Sequence, residues 1–374
     1  MKKTVLHIAE AAGGVERYLV SLLKKMQPSN DIEHILLCSD SFDCKKFENL
    51  VTSIEVVDSL HNPISMSQDF KSILTVRKLI KKYKPDIIYC HSSKAGAVGR
   101  IAATGLKKRV LYNAHGWSFN MKGSSTRKIK IYEIVERVLA KRTDKIICIS
   151  EYERTSALEH KICKSDKLVV INNGIDFDEV SAGTPKSRSE LGIPESAFVV
   201  GTIGRLAPQK APDMFVKVAI EVSSQIQNAF FVIVGDDLSD GTVRDEIEKQ
   251  IKEAGLSERF IITGWVDNPT DYISVFDVAT LFSRWEGFGL VLPEYMYMGK
   301  PIVATKADAI PYVVGDAGLL VEIDDYLAAA EAIEKLCANQ DVYHMLKEKE
   351  RHQVTLFNAQ RTADEHRKLF GVGV

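Results

Sequence analysis

Short apolar runs alternate with longer amphipathic segments along most of the chain, and this alternation constrains the fold more than any other feature. The first pair consists of the strand-like run TVLHIAE and the helix-like segment GGVERYLVSLLKKM. The next pair, EHILLCS and FKSILTVRKLIKKYK, repeats the pattern, with apolar residues at helical spacing in the second member. Strands that are apolar along their whole length, each followed by a helix, are typical of parallel sheets covered on both faces.

The alternation stops once and then restarts. Residues 178–196 are rich in Ser, Gly and Pro and show no sustained apolar period, so we predict a linker there. A chain of 374 residues is long enough for two domains, which we place at residues 1–177 and 197–355. We therefore predict an α/β protein with two doubly wound, Rossmann-like domains facing across a cleft, where the carboxyl ends of the strands bind ligands.

The two predicted domains differ in charge. Residues 1–175 carry 30 Lys and Arg against 18 Asp and Glu, whereas residues 176–374 carry 19 against 32. Two basic amphipathic segments, 71–84 and 127–142, lie in the first half. One interpretation is a drift in composition combined with solvated helix faces. The other is that the first half binds something negative, such as a membrane surface, a lipid phosphate or nucleic acid. Nucleic acid is disfavoured because no recognition motif accompanies the charge.

The cysteine pattern and the lack of long apolar runs indicate a cytosolic protein. None of the six cysteines belongs to a CxxC pair, which favours reduced thiols over disulfides or a metal site. No apolar run approaches the roughly 18 residues that span a bilayer. A signal peptide is the alternative interpretation of the first residues. However, His7 and Glu10 interrupt the apolar stretch early, and we predict a first buried strand instead.

Two carboxylates, Glu286 and Glu294, occupy the stretch WEGFGLVLPEYMYMGKPIVAT at residues 285–305. The two glycines after Glu286 predict a tight loop that follows a strand. A helix is predicted to start near Leu292, with a proline in its first turn, which places Glu294 in that turn. The backbone amides of residues 288–291 would then form an anion-binding helix N-terminus.

Three interpretations of the two glutamates stay open on this stretch alone. A glycosidase needs its two carboxylates about 5–10 Å apart on opposite faces of a sugar. Glutamates that flank one set of free amides fit better as hydrogen-bond acceptors around a diphosphate sugar, one for the sugar hydroxyls and one for the ribose diol. The third interpretation is a capping glutamate with an unrelated neighbour.

A second charged motif follows the first strand of the C-terminal domain. In GTIGRLAPQKAPD, Arg205 and Lys210 lie five positions apart across a turn that contains proline. They can converge on a pair of phosphates, because the guanidinium is a planar fork and the ammonium a point charge. With Glu286 and Glu294 they make four charged groups placed just after strands, which favours the diphosphate-sugar interpretation.

Together these motifs resemble those of the retaining nucleotide-sugar glycosyltransferases of family four, which have the GT-B fold. The element GRL…K, followed downstream by EGFGLVLPE, carries most of the resemblance. Further similarities occur in order along essentially the whole chain: AGGVERYL, NAHGWSF, INNGIDFDEV and GKPIVAT. The resemblance implies a GT-B glycosyltransferase in which a C-terminal helix, residues 356–374, crosses back to the N-terminal domain.

The resemblance implies a role for each charged residue. Arg205 and Lys210 would neutralise the donor diphosphate, and Glu294 would hold the ribose hydroxyls. Glu286 would contact the donor sugar near the reacting carbon, and His115 would lie near that sugar. The backbone amides of Phe288, Gly289 and Leu290 would contact the sugar and phosphate. The segment Gly264, Trp265 and Val266 would contact the nucleobase, and the glycine pair Gly13 and Gly14 would approach the phosphate.

Four further side chains have more than one interpretation. Without the resemblance, His115 could be a histidine satisfied at a strand end. His91 could be a polar strand terminus or could line the acceptor side. Tyr295 and Tyr297 stand where the family usually has small residues. The sequence leaves open whether their bulk alters the helix packing or the pocket wall.

We expect no divalent metal ion and no cofactor besides the donor, whose nucleotide we expect to be UDP. The sequence has no Asp-x-Asp motif at a strand end, and the acids of GDDLSD are expected to cap the next helix. Arg205 and Lys210 already supply positive charge for the diphosphate.

The expected activity is transfer of a sugar, with retention, to a hydroxyl of a lipid-pyrophosphate-linked saccharide in the synthesis of a bacterial surface polysaccharide such as a capsule. The enzyme would be cytoplasmic and peripheral on the inner face of the cell membrane, with its basic domain on an anionic surface. The alternatives are transfer to a small soluble acceptor, a UDP-sugar epimerase on the same fold, and a non-catalytic nucleotide-sugar binding module.

Overall fold

The computed structural model describes residues 2–10, 13–27, 31–61, 65–123, 125–237 and 241–373. The chain forms two compact units. Unit 1 is Met1–Gly174 together with Asn358–Val374, and unit 2 is Ile175–Phe357. The chain therefore leaves unit 1 once and returns to it for its last segment.

A parallel sheet of seven strands forms the centre of the described part of unit 1. The strands are β1 (Lys3–Ala9), β2 (Ile32–Cys38), β3 (Ser53–Val56), β4 (Ile87–His91), β5 (Arg109–Asn113), β6 (Lys145–Cys148) and β7 (Leu168–Val170). Their order in the sheet is β3-β2-β1-β4-β5-β6-β7. Every residue of β4 is buried, which explains why its sequence is apolar along almost its whole length.

Helices cover both faces of this sheet. They are α1 (Gly14–Met26), α2 (Met66–Tyr83), α3 (Ser93–Ala102), α4 (Thr126–Ala140) and α5 (Glu151–Glu159). Alternate strand residues enter separate apolar clusters: Leu6 and Ile8 pack in one, and Val5 and Ala9 in the other. A buried ion pair joins α3 to α4, with the Arg100 guanidinium 2.9 and 3.1 Å from the two carboxylate oxygens of Glu136.

Unit 2 is built in the same way around a parallel sheet of six strands in its described residues. The strands are β8 (Phe198–Ile203), β9 (Ala229–Val234), β10 (Phe260–Ile262), β11 (Val278–Leu281), β12 (Ile302–Thr305) and β13 (Gly318–Val321). Their order is β10-β9-β8-β11-β12-β13. The helices are α6 (Phe177–Ser181), α7 (Pro212–Gln225), α8 (Thr242–Glu253), α9 (Val291–Tyr297), α10 (Ile310–Val314), α11 (Tyr326–Ala338) and α12 (Gln340–Gln353).

Two connecting segments are ordered by contacts within a single unit. Residues 178–196, where we predicted a linker, are part of unit 2, and within it Arg188 donates to Asp277 at 2.8 Å. The last helix, α13 (Ala359–Phe370), packs on α1 within unit 1. It is held by Lys3, whose ammonium donates to the Phe370 carbonyl at 2.8 Å.

The predicted α/β class with two doubly wound parallel sheets is confirmed by this topology. Both strand orders run outward in two directions from the first strand of each unit, β1 and β8, which is the doubly wound arrangement. In the described ranges, no helix is both long enough and apolar enough to cross a bilayer.

Candidate functional site

The loops that follow β8 and β11 meet at one edge of the unit 2 sheet. The two strands are parallel neighbours, with Val278 paired to Val200, so their carboxyl ends lie at the same edge. The first loop carries Arg205 and Lys210, and the second carries Glu286. Parallel pairing therefore places side by side two side chains, Lys210 and Glu286, that are 76 positions apart in the sequence.

An ion pair between Lys210 and Glu286 joins the two loops. The Lys210 ammonium donates a hydrogen bond to Glu286 Oε2, and the Ser283 hydroxyl donates to the same oxygen at 3.2 Å. The Glu286 backbone N–H donates to Asp308 Oδ2 at 3.0 Å. Both charged side chains are mostly covered, with 19% and 12% of their surface exposed. The Glu286 carboxylate is therefore fixed in position, next to a cation that an anionic ligand can also reach.

Further bonds between these loops involve a residue that the sequence did not identify. Arg284 donates two hydrogen bonds to the carboxylate of Asp213 in α7, at 3.0 and 2.6 Å. Its backbone N–H donates to the Gln209 carbonyl at 2.8 Å, and the Gln209 amide donates to the Trp285 carbonyl at 3.0 Å. Arg284 and Asp213 are 71 positions apart, and no local spacing relates them. These bonds fix the Lys210 loop against the Glu286 loop.

The end of β9 lies against the Arg205 loop. A Cβ on Gly235 would lie 2.1 Å from the Gly204 carbonyl oxygen, so only glycine permits this approach. The Leu206 N–H donates to the Asp236 carbonyl at 2.9 Å. A small pocket opens at this point, lined in part by Gly204, Arg205 and Lys210. The Arg205 side chain is exposed at its mouth.

The segment predicted to meet a nucleobase follows β10. Gly264 forms an antiparallel bridge with Gly235, which places this segment beside the loops after β8 and β9. Trp265 is 56% exposed, and Val266 is partly buried. The segment therefore lies at the same sheet edge as the charged loops.

The acids of GDDLSD make contacts that stabilise local structure. Asp236 pairs with Arg244 at 2.8 Å. Asp237 accepts a hydrogen bond at 3.0 Å from the N–H of Val243 in the first turn of α8, while Asp240 lies outside the described residues. Among the residues described, no group of three or more His, Cys, Asp or Glu side chains could hold a metal ion.

Glu294 lies in α9, the helix into which the Glu286 loop leads. Its side chain is almost fully buried, with 1% of the residue exposed. Gly289 has a φ of 81°, and Leu290 directly precedes the helix. The Phe288 ring is buried against Phe357, so this residue can offer a ligand only its backbone amide.

The two tyrosines of α9 pack within unit 2. Tyr295 is fully buried, and its hydroxyl accepts a hydrogen bond from the N–H of Ile203 at 2.8 Å. Ile203 is the last residue of β8, immediately before the Arg205 loop. Tyr297 stacks on Phe177 at 4.5 Å, and its hydroxyl lies 2.6 Å from that of Ser181 in α6. Their bulk therefore serves helix packing, and Tyr295 fixes the strand end that positions Arg205.

In unit 1 the glycine pair lies at the start of α1. Gly13 has a φ of 83°, which favours glycine, and Gly14 is the first residue of the helix. Both glycines are exposed, and a Cβ built on either one meets no atom within 4 Å. The backbone at this turn is therefore accessible to a ligand.

His115 follows β5 and contacts His91. The two rings are joined by a 3.1 Å hydrogen bond between His91 Nδ1 and His115 Nε2. The His115 backbone N–H donates to Asn113 Oδ1 at 3.0 Å, and the ring packs on Tyr18. Burial, together with His366 nearby, lowers the pKa of His115 to about 3. His91 is fully buried, which excludes it from direct contact with solvent in this conformation.

Glu153 in α5, which the sequence did not identify, fixes the turn after His115. Its carboxylate accepts hydrogen bonds from the N–H groups of Gly116 at 2.6 Å and Ile149 at 2.9 Å. Burial raises the pKa of Glu153 to about 7, although these two backbone bonds act in the opposite direction. A carboxylate in the first turn of a helix is common, and no sequence signal pointed to its contact with Gly116.

Two family descriptions match the chain. Residues 12–179 match the description "Glycosyltransferase Family 4". Residues 183–353 match "Glycosyl transferases group 1". The two matched regions divide between the N-terminal and C-terminal halves of the chain.

The chain is similar to several bacterial proteins. A UDP-Gal:α-D-GlcNAc-diphosphoundecaprenol α-1,3-galactosyltransferase of Escherichia coli is 28% identical over 96% of this chain and 93% of its own length. An uncharacterized 41.2 kDa protein in the cps region of Klebsiella pneumoniae is 32% identical over 88% of this chain and 89% of its own. The structure of Anabaena HepE in complex with UDP has a TM-score of 0.80 at 22% identity, covering 99% of this chain and 100% of that one.

The chain belongs to the group 1 glycosyltransferases of family four and is a glycosyltransferase with the GT-B fold. The family and enzyme class predicted from the sequence are thereby confirmed.

We predict that Tyr295→Phe lowers the free energy of unfolding by about 1–3 kcal/mol, because it leaves the buried N–H of Ile203 without its acceptor. Tyr297→Phe is the matched control on the same helix. Its hydroxyl pairs with Ser181 at the surface, so we expect a loss below about 0.5 kcal/mol. Urea unfolding followed by circular dichroism measures both, and equal losses would contradict a specific role for the Tyr295 hydroxyl.

Proposed function

We propose that this enzyme transfers a sugar, with retention of anomeric configuration, from a nucleoside-diphosphate sugar to a hydroxyl of a lipid-pyrophosphate-linked saccharide. The process would be the synthesis of a bacterial surface polysaccharide. The observation that carries the proposal is the meeting of Arg205, Lys210 and Glu286 at the carboxyl edge of the unit 2 sheet. The names of two bacterial relatives support it: a galactosyltransferase named for UDP-Gal and α-D-GlcNAc-diphosphoundecaprenol, and a protein of a cps region.

In this proposal unit 2 binds the donor. Arg205 and Lys210 neutralise the diphosphate, and Glu294 accepts hydrogen bonds from the ribose hydroxyls. Residues 264–266 contact the nucleobase, and the amides of residues 288–290 contact the sugar and phosphate. We propose UDP as the nucleotide, and the complex of HepE with UDP supports this choice.

In this proposal, the Lys210–Glu286 ion pair rearranges when the donor binds. The ammonium bonds the Glu286 carboxylate, and a diphosphate competes for the same cation. When Lys210 bonds a phosphate oxygen, Glu286 regains free acceptor capacity. A sugar hydroxyl can then donate to it, which orients the reacting carbon.

The reaction proceeds on one face of the sugar. The bond between the anomeric carbon and the phosphate oxygen breaks, and the acceptor oxygen bonds to that carbon from the same face. The acceptor hydroxyl gives its proton to the departing phosphate oxygen, so the step needs no protein base. Arg205 and Lys210 stabilise the charge that develops on the diphosphate. In unit 1, Gly13 and Gly14 offer backbone to the phosphate, and His115 contacts the sugar.

We predict that purified enzyme transfers sugar from a UDP-sugar to a lipid-pyrophosphate-linked acceptor with retained configuration. Activity should persist in excess chelator, because Arg205 and Lys210 supply the charge that a metal would supply. Product analysis by nuclear magnetic resonance reports the anomer. Conversion of the UDP-sugar without any acceptor, an inverted product, or activity restored to chelated enzyme by Mg²⁺ or Mn²⁺ would each contradict a part of the proposal.

Donor binding is tested by Lys210→Met, with Lys306→Met as the matched control. Lys306 also forms an ion pair with a glutamate of unit 2, at 2.6 Å from Glu322, but at an exposed site. We expect Lys210→Met to weaken UDP binding at least about tenfold, because a charge-assisted bond to phosphate is lost. Calorimetric titration with UDP gives the affinities. If both variants bound UDP like the unchanged enzyme, Lys210 would have no role at the diphosphate.

The outer face of α4 supports the proposed membrane contact. Ile131, Ile134, Val135 and Val138 are 39–59% exposed. They are spaced at i, i+3, i+4 and i+7, so they form one stripe. Leu139 and Ala140 on the same helix are buried, so the side of α4 that faces the core is distinct from this outer stripe.

Basic residues surround the apolar stripe of α4. The exposed residues at its two ends are Arg127, Lys128, Lys130, Lys141 and Arg142. On α2, Met66, Phe70 and Leu74 form a similar exposed stripe. Each Lys or Arg near an anionic surface contributes about 1 kcal/mol of attraction. We propose that unit 1 binds the cytoplasmic leaflet through these helices, where a lipid-linked acceptor is located.

We predict that the enzyme sediments with anionic vesicles and that the double variant Ile131→Ser/Ile134→Ser reduces this sedimentation several-fold, because apolar area is lost from the stripe. The matched control is Ile220→Ser, which changes an isoleucine of unit 2 that is 42% exposed. Equal sedimentation with neutral and anionic vesicles would contradict the electrostatic contribution. An unchanged double variant would contradict the role of α4.

A further inference from the structure

A continuous chain of four histidines crosses the unit 1 sheet. His34 lies on β2, His7 on β1, His91 on β4, and His115 just after β5, and these four strands are neighbours in that order. Successive ring nitrogens are 3.0, 3.2 and 3.1 Å apart. His7 and His91 are fully buried and His34 is 7% exposed. The chain therefore connects the interior of the sheet to the turn that carries His115.

The hydrogen bonds of this chain require a single tautomer throughout. Each bond joins an Nδ1 to an Nε2: His34 Nδ1 to His7 Nε2, His7 Nδ1 to His91 Nε2, and His91 Nδ1 to His115 Nε2. A neutral imidazole has one N–H and one lone pair. If one ring carries its proton on Nδ1, each neighbour must do the same, and the alternative places every proton on Nε2.

His34, at one end of the histidine chain, determines which of the two tautomeric states is favoured. His34 Nε2 is buried and has no hydrogen-bond partner among the residues described. A buried N–H without an acceptor is rarer and costlier than an unused acceptor. Burial, together with the charge of Lys2, lowers the pKa of His34 to about 4, so this ring is neutral and carries its one proton on either Nδ1 or Nε2. The state with the proton on Nδ1 of every ring is therefore favoured.

We propose that His34, His7 and His91 are positioning residues that fix His115 as a neutral ring whose Nδ1–H is presented to the substrate. The inference rests on the proposed function, in which His115 contacts the transferred sugar. No described residue hydrogen-bonds the Nδ1 of His115 and competes there with a ligand, whereas its Nε2 accepts from His91. A fixed, neutral N–H suits an oxygen acceptor, either a sugar hydroxyl or a phosphate oxygen.

The same geometry opposes protonation of His115. An imidazolium would carry a proton on Nε2, directed at the Nδ1–H of His91. Relief requires the other three rings, His91, His7 and His34, to change tautomer, which moves an N–H to the buried Nε2 of His34. Burial and the neighbouring histidines keep the pKa of His7 and His91 well below the ordinary value, which agrees with a neutral chain.

Other titratable side chains beside the histidine chain also form hydrogen bonds. Tyr18 and Tyr89 pack on the rings of His115 and His91, and both hydroxyls lie 2.9 Å from His366 Nε2. The Nδ1–H of His366 donates to the Thr362 carbonyl at 2.8 Å, which leaves its Nε2 as the acceptor for these hydroxyls. Glu10, which directly follows β1, accepts a hydrogen bond from Ser92, the residue after His91.

The experiment is a long-range ¹H–¹⁵N spectrum of protein labelled with ¹⁵N-histidine, which shows the nitrogen that carries the proton in each ring. His115→Gln assigns the His115 signals. We expect His115 to be neutral and protonated on Nδ1 between about pH 6 and pH 8, the range in which an ordinary histidine titrates. A proton on Nε2, or titration of His115 within that range, would overturn the proposal.

Two substitutions of His34, which is three hydrogen bonds away from His115, test whether the histidine chain determines the tautomer of His115. His34→Phe removes the terminal ring nitrogens, and the shortened chain should keep the His115 proton on Nδ1. His34→Asp places an obligate acceptor opposite His7 Nε2 and should move the His115 proton to Nε2. The kcat of His34→Asp should then be about tenfold below that of His34→Phe, the effect of one hydrogen bond to substrate. Equal kcat values in the two variants, or no change of tautomer in His34→Asp, would refute the positioning role.

The two proposals fail in different ways. The tautomer of His115 is measured without substrate, so an enzyme that transferred no sugar would contradict the proposed function alone. An active enzyme with a titrating His115 would contradict only the inference about the histidine chain. If His34→Asp did not fold, the spectra of the unchanged enzyme and of His34→Phe would still decide which nitrogen is protonated.

Discussion

The parallel pairing of β8 with β11 determines the architecture of the candidate donor site. It places the loops of Lys210 and Glu286 at one sheet edge, where the two side chains form an ion pair. Around that pair, Arg284 bonds Asp213, and Tyr295 bonds the end of β8. A charged site of this kind must be held rigidly, because a displacement of about 1 Å can cost a large factor in rate. The surrounding bonds provide that rigidity.

The fold and the charged residues could be predicted from the sequence because both depend on local pattern. Continuous apolar runs indicated the strands, and Arg205, Lys210 and Glu286 were recognisable because each lies in the loop that follows a strand. The contacts that hold these residues were not predictable. Arg284 meets Asp213 only because of the order of strands in the sheet, which no local period encodes. The role of Tyr295 stayed open for the same reason, since its partner Ile203 is 92 positions away.

In unit 1, even fewer of the contacts between functional side chains could be predicted from the sequence. His91 and His115 were noticed one at a time, each as the end of a strand. The chain that includes His7 and His34 follows from the register of β1 with β2 and β4, which pairs His7 with Leu36 and Tyr89. His34 and His91 lie two residues from those partners, which puts them diagonally beside His7 on the same face. Charge composition likewise indicated a basic N-terminal half, but only the structure shows that α4 carries one apolar stripe toward the core and another toward solvent.

We propose above all that unit 2 binds the nucleotide diphosphate through Arg205 and Lys210. A crystal structure of the enzyme with bound UDP tests it most directly. We expect the diphosphate within hydrogen-bond distance of the Arg205 and Lys210 side chains, with the ribose hydroxyls at Glu294. A nucleotide bound elsewhere in unit 2, or to unit 1 alone, would contradict it.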